Sequence, residues 1–271
     1  MRSVVPIVER VRETPSTVTL RFDYEPAARP GQFVMLWIPG DDEIPMSLSY
    51  VDGSRKGVTV KAMGATSRHV LDLAPGDRIG VRGPYGNVFD LSPRRLLVVG
   101  GGSGAAVLAP AVEAAEVLGA QIVVALGAVT ARELLFEERF RRSGASVHVA
   151  TDDGSVGVRG FVTEVVREQL RQHPFDAVWT CGPEAMMARV VHEAGSHRVP
   201  AVLAMERHMK CALGMCDACA IGPFHVCVDG PVFPAERIMA LPEFGTFQRD
   251  ASGRRAPVGR PAAPPAVPRG A

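Results

Sequence analysis

The sequence predicts an antiparallel β-barrel followed by a parallel α/β sheet of nucleotide-binding type, with a small cysteine module appended. Three observations carry that expectation. The first ninety-odd residues break into short β-segments separated by Gly, Pro and Asp turns. From Leu96 onward, strand-length apolar runs alternate with helical stretches, as parallel βαβ units require. Four of the five cysteines crowd into the seventeen residues 211–227.

A chain of 271 residues is long for one domain and short for three, so two domains plus an appendage is the expected organisation. With 46% hydrophobic and 22% charged residues, it has the composition of a globular protein that can bury proper cores. A formal net charge of +1, with Lys and Arg scattered, lacks the electrostatic footprint of a nucleic-acid binder. The N-terminus shows no apolar leader before a cleavage site, and the most apolar runs are strand-length. A cytoplasmic protein without a membrane span is expected. In a reducing compartment, clustered cysteines point to a metal or cluster rather than to disulfides.

Taken in order, residues 18–22, 33–38 and 57–61 read as barrel strands. Parallel strands follow at 96–99, 122–126, 146–150, 177–180 and 201–205, with helices at 105–118, 131–143, 161–172 and 183–195. The expected divisions are a barrel over 1–94, an α/β domain over 95–205 and a cysteine module over 206–249. Residues 250–271, with five prolines, four arginines and no aromatic residue, read as a disordered tail.

Cys211, Cys216, Cys219 and Cys227 follow C-x4-C-x2-C with a fourth cysteine downstream, the spacing of plant-type 2Fe-2S ferredoxins. Ferric iron in such clusters requires charge-donating thiolates. Ala212, Gly214, Ala218 and Ala220 are small enough for backbone N–H groups to approach the cluster sulfurs. Structural zinc is the alternative, but zinc sites generally use two short cysteine pairs and only Cys216 and Cys219 form one, so the spacing favours iron–sulfur.

Between the strand at 96–99 and its helix lie Gly100, Gly101, Gly102, Ser103 and Gly104. Glycines at such a turn either let the backbone approach a pyrophosphate or permit tight strand–helix packing. Strict G-x-G-x-x-G spacing is not met. Cys181, Gly182 and Pro183 end a later strand, where the cysteine either faces a nicotinamide or packs a core. Thr151, Asp152 and the residues to Ser155 make either a cofactor contact or a polar turn. Arg132 is either a partner for a nucleotide 2'-phosphate or a solvated surface residue. Phe224, Val232 and Phe233 form either a docking surface or a local core. The scattered histidines receive no role.

These pieces, in order, resemble the ferredoxin reductase-like flavoprotein family, and within it the electron-transfer subunits of dihydroorotate dehydrogenase B. The matching stretches are Arg29-Pro30-Gly31-Gln32-Phe33, Ile44-Pro45-Met46-Ser47-Leu48-Ser49, Arg82-Gly83-Pro84-Tyr85-Gly86-Asn87, Thr151-Asp152-Asp153-Gly154-Ser155, Cys181-Gly182-Pro183 and Met209-Lys210-Cys211. The resemblance implies a flavin-binding barrel, an NAD-binding sheet and a 2Fe-2S module facing a partner. It places FAD against Pro45, Met46 and Ser47, and against Thr59, Val60, Lys61, Ala65 and Thr66. Ile44 stands where the family has an arginine, which makes Lys61 or Arg68 the candidate partner for the FAD pyrophosphate. The implied partner is an FMN-containing dihydroorotate dehydrogenase catalytic subunit, in a heterotetramer of two of each, serving pyrimidine biosynthesis. Two other readings fit the same residues. One is a flavin and iron–sulfur subunit of an NADH-dependent ferredoxin oxidoreductase, sulfide dehydrogenase or hydrogenase; the other is a non-redox nucleotide sensor with structural zinc.

Overall fold

The structure is a computed structural model that describes residues 2–250 and 252–258. Six strands, β1 (Ser3–Thr14), β2 (Thr17–Asp23), β3 (Phe33–Trp37), β4 (Glu43–Tyr50), β5 (Arg55–Lys61) and β6 (Arg78–Tyr85), close into a barrel in the order β1-β2-β5-β4-β3-β6. Each paired neighbour is antiparallel, and helix α1 (Ala65–Asp72) lies between β5 and β6 in the chain. Side chains alternate faces along a strand. Val34 and Leu36 of β3 therefore join Leu20, Phe22, Val58 and Val81 inside the barrel, whereas Phe33 and Met35 turn outward into a core shared with the rest of the molecule. Complete burial of Phe22 alone contributes about 2–3 kcal/mol.

The second body begins with β7 (Arg95–Gly101), α2 (Gly104–Val117) and β8 (Gln121–Ala128). It continues through α3 (Glu137–Ser143), β9 (Ser146–Thr151), β10 (Val158–Arg159), α4 (Val162–Gln172), β11 (Ala177–Cys181), α5 (Glu184–Ser196) and β12 (Ala201–Ala204). These strands pair in parallel. The period of two again sorts the core: Leu97 and Val99 pack with α4 and α5, while Leu96 and Val98 pack with α2.

The cysteine module holds a hairpin of β13 (Ala220–Ile221) and β14 (Phe224–His225), then α6 (Val226–Asp229), β15 (Val232–Pro234) and α7 (Ala235–Ile238). β15 pairs antiparallel with β12 and completes a seven-stranded sheet in the order β10-β9-β8-β7-β11-β12-β15. Asn87, just past the barrel, fastens this module: its amide donates to the carbonyls of Asp229 (3.1 Å) and Val232 (2.8 Å) and accepts from the Val232 amide (2.9 Å).

Two expectations need correction. The helix expected over 131–143 is broken into a 3-10 turn (Ala131–Glu133) and α3. Phe136 takes φ +63° there, and its ring meets Tyr50 of the barrel edge-on, at 6.2 Å; tertiary packing overrides the helical pattern. The tail expected to be disordered from residue 250 instead opens with structure: a hairpin pairs β16 (Phe247–Arg249) with β17 (Arg255–Pro257). Its turn is organised by Asp250, whose Oδ1 accepts from the amides of Ser252 (2.8 Å) and Arg254 (3.0 Å). The Arg255 guanidinium lies 4.6 Å from the Phe247 ring. Residue 251 and residues 259–271, also assigned to that tail, lie outside the described residues.

Candidate functional site

Two clefts meet at Lys61, which lines both. The first, about 430 Å³, lies between the barrel and the start of α2. Strand β4 supplies Pro45, Met46 and Ser47, β5 supplies Thr59 and Lys61, and the facing wall is Ser103, Ala106 and Val107. The segment Met205 to Met209, leaving β12, and Gln248 to Asp250 of the last hairpin complete it. The second, about 380 Å³, opens at the carboxyl ends of the parallel strands, with Gly101 and Gly102 after β7, Gly127 and Ala128 at β8, Asp152 after β9 and Pro183 after β11. Loops at that end of a parallel sheet are where nucleotides bind.

The glycine turn has room for a ligand at one residue and is closed by packing at another. Gly102 has φ +54°, and nothing lies within 4 Å of where a side chain would stand, so its backbone is open to a ligand. Gly104 serves packing instead, because a Cβ there would lie far closer to the Cys181 carbonyl oxygen than van der Waals contact allows. The open face at Gly102 leaves room for a dinucleotide pyrophosphate at the entry to α2, although the amides of Gly102, Ala105 and Ala106 are bonded to the carbonyls of Gly127, Gly102 and Ser103.

Not every candidate residue reaches a cleft. Val60 is fully buried in the barrel core, and Ala65 and Thr66 sit at the start of α1, with the Thr66 hydroxyl donating to Asp41 (2.8 Å). Thr59 does line the first cleft, but its hydroxyl is committed to Ser49, at 2.8 Å. Thr151 is buried, its hydroxyl donating to the Val156 carbonyl (2.8 Å). Cys181 is fully buried in the core behind α2 and lines neither cleft, and burial pushes its thiol well above the usual range. Gly182 backs onto Gly101. The sequence reading did not find Phe161, Arg189, Glu133 or the segment Met205 to His208. Phe161 is 58% exposed at the second cleft, with the Arg189 guanidinium 5.5 Å from its ring; an exposed aromatic opening a helix after Gly160 was the available signal.

Lys61 Nζ pairs with Glu133 Oε2 at 3.2 Å, and the Ser16 hydroxyl donates to the same oxygen at 2.6 Å. Arg68 is exposed on α1, outside both clefts. Arg132 is exposed and lines neither, whereas the carboxylates Glu133 and Asp152 line the second. Glu206 is reached by solvent through the mouth of the first cleft while protein crowds its other sides, and that desolvation raises its pKa.

The cysteine loop turns on left-handed residues, Ala212 (φ 60°), Gly214 (φ 72°) and Asp217 (φ 55°), which aim amides inward. The amides of Leu213 and Met215 donate to Cys211 Sγ at 3.3 and 3.5 Å. Burial opposes ionisation of Cys211, but these amides and the Cys216 thiol outweigh it and bring the pKa to about 6. Cys227 is pushed up to about 12, by burial first and then by its bond to Cys219, with the Gly214 amide opposing. Among the described residues no three His, Cys, Asp or Glu side chains are grouped to share one metal ion. Backbone amides that donate to a ligand sulfur, as those of Leu213 and Met215 do to Cys211, fit an iron–sulfur cluster.

Phe224, Val232 and Phe233 belong to the local core: Val232 and Phe233 are buried, and the Phe224 and Phe233 rings stand 5.8 Å apart. The exposed apolar side chains near the cysteines are Leu213, Met215 and Val228, with Met215 79% exposed. No helix among the described residues is long and apolar enough to cross a membrane.

Comparison with known proteins agrees with this geometry. The family model for the iron–sulfur cluster binding domain of dihydroorotate dehydrogenase B matches residues 206–239. The probable dihydroorotate dehydrogenase B (NAD(+)), electron transfer subunit, of Methanocaldococcus jannaschii is 42% identical over 251 residues, covering 92% of this chain and 96% of its own. The protein of the same name from Thermoplasma volcanium is 43% identical over 249 residues, with the same coverage of 92% and 96%. Among solved structures, an NADH-dependent reduced ferredoxin-NADP oxidoreductase studied for flavin-based electron bifurcation superposes with a TM-score of 0.79. It is 29% identical, over 88% of this chain and 93% of that one. On these grounds the chain belongs to the family of dihydroorotate dehydrogenase B electron transfer subunits.

Proposed function

We propose that the chain passes electrons between NAD(H), bound in the second cleft, and a separate FMN-containing catalytic subunit that oxidises dihydroorotate. FAD in the first cleft and a 2Fe-2S cluster on Cys211, Cys216, Cys219 and Cys227 form the route. The carrying observation is continuity. Lys61 belongs to both clefts, and the segment Met205 to Met209 that lines the first runs directly into Cys211.

FAD supplies the change from hydride to single-electron chemistry, and the protein contributes position and electrostatics. Gly101 and Gly102 let the nucleotide backbone approach, and Pro183 and Met186 close the side of the second cleft toward α5. Pro45, Met46 and Ser47 present β4 to the flavin. With no arginine at Ile44, Lys61 is the cation at the junction, available to a pyrophosphate once it leaves Glu133. The relatives' names specify NAD(+), which supports NAD over NADP. Leu213, Met215 and Val228 around the exposed Cys216 support docking of the catalytic subunit there, in a cytosolic complex of two copies of each.

Anaerobic co-purification with the catalytic subunit, followed by assay of dihydroorotate-dependent NADH formation, tests the reading. The complex is expected to form NADH and to lose that activity when the chain is omitted. Activity of the catalytic subunit with NAD in the chain's absence would refute it. The likeness to the ferredoxin-NADP oxidoreductase structure supports a second destination, a ferredoxin; NADH-dependent ferredoxin reduction without any response to dihydroorotate would select it.

A further inference from the structure

Arg82 of β6 stands at the seam between the barrel and the cysteine loop. A guanidinium carries five N–H donors in a rigid planar fork, and here each has a partner. Nε donates to Glu43 at 2.9 Å and Nη2 to Glu43 Oε2 at 2.6 Å. Nη1 donates to the Tyr85 hydroxyl (3.2 Å) and to the Cys211 carbonyl (2.9 Å), and Nη2 also reaches the Lys210 carbonyl (3.0 Å). Glu43 is braced from its other side by Arg2, at 3.1 Å. Both members of the pair are largely buried, with side chains 17% and 16% exposed.

The partners lie on the two sides of the proposed electron route. Glu43 opens β4, the strand that carries Pro45, Met46 and Ser47 into the first cleft. Lys210 and Cys211 directly follow His208 and Met209, which line the same cleft. From Met209 to Cys211 is two peptide units, at most about 7 Å of backbone. A charged fork that holds both sides fixes their separation, which no barrel strand or sheet strand does by itself.

We infer that Arg82 is the positioning residue for electron transfer between the first cleft and the cysteine loop, with Glu43 fixing the orientation of its guanidinium. The inference rests on the reading of the two cofactor sites given above. Each transfer would move one electron from flavin to cluster, and two transfers would clear the pair delivered by one hydride once the cluster had passed the first electron to the FMN of the catalytic subunit, the proton leaving to solvent. The guanidinium, its charge partly offset by Glu43, donates to the carbonyl of the first ligand residue, and the positive charge left there favours the reduced cluster.

The test uses the holoprotein, carrying FAD and cluster, mixed anaerobically with NADH in stopped flow. Arg82→Lys keeps the charge but cannot reproduce the fork. Flavin bleaching should proceed at the wild-type rate, while cluster reduction slows by roughly tenfold to a hundredfold. Arg82→Met should slow it similarly and also lower the cluster reduction potential. Glu43→Gln should bind iron normally and slow cluster reduction by a smaller factor. Wild-type cluster reduction in Arg82→Lys, with an unchanged potential in Arg82→Met, overturns the inference. Should the Arg82 variants lose iron, a wild-type rate in Glu43→Gln overturns it and a slowed one supports it. A wild-type protein that takes up neither flavin nor iron fails the broader functional reading instead.

Discussion

The glycine turn after β7 and the cysteine loop after β12 are the proposed nucleotide and cluster sites, and they are built in opposite ways. The turn is held by the sheet: Gly104 is pressed against the Cys181 carbonyl and Gly100 against Ala105. Its geometry therefore exists before any nucleotide arrives. The cysteine loop has almost no ladder of its own, a two-residue hairpin at β13 and β14, and turns instead on residues such as Ala212 that tolerate a left-handed conformation poorly. Its sulfurs repel or bond one another according to protonation, so the bound cluster must supply the framework. The nucleotide site is preformed, and the cluster site is completed by its ligand.

Glycine substitutions break this contrast most sharply. Gly104→Ala should cost more than about 3 kcal/mol, at the upper end for overpacking, because the obstacle is backbone that cannot move aside. Gly102→Ala should cost only about 1–2 kcal/mol, the strain of a left-handed alanine, while weakening NADH binding. Urea unfolding of the two variants gives the comparison; equal midpoints would mean that the turn is not held by packing. The cysteine loop should respond far more weakly. Ala212→Gly should change the stability of the cluster-free protein by less than about 0.5 kcal/mol, because relief of αL strain is offset by added chain entropy and the lost buried methyl. Destabilisation by more than this would show that the loop is also preformed.

The smallest effect concerns Glu206, at the entry to the loop. Its folded-state pKa is raised by desolvation, so protonation favours folding. Its contribution is fully present below the unfolded carboxylate pKa and is lost as pH rises through the folded value. Glu206→Gln should accordingly raise the unfolding midpoint slightly at pH 8 and leave it unchanged well below the carboxylate range. A lower midpoint at pH 8 would mean that the carboxylate has a stabilising partner.

Legibility in the sequence followed the same division. The cysteine spacing was readable because ligand chemistry dictates residue type and interval, whatever the surrounding fold. The glycine turn and the parallel strands were readable because strand-to-helix geometry is local. What escaped depends on distant parts of the chain. Phe136 leaves its helix to meet Tyr50, a contact across eighty-six positions. β15, three residues long, becomes a strand only because β12 offers a free edge, and Val232 and Phe233 were therefore as readable as surface as they were as core. The hairpin at β16 and β17 was hidden by averaging composition over the whole tail, when one aspartate and one stacked arginine organise it. Arg82 could be matched to a motif, but nothing local shows that its fork reaches the carbonyls of Lys210 and Cys211.

The central claim is that flavin and cluster reside in one chain and share electrons. Anaerobic titration of the iron-replete protein with NADH, followed by visible absorption and electron paramagnetic resonance, tests it most directly. The account predicts one FAD and two irons per chain, with NADH bleaching the flavin and raising the signal of a reduced two-iron cluster. A chain that binds FAD and is bleached by NADH, yet holds a single zinc and gives no such signal, would contradict it.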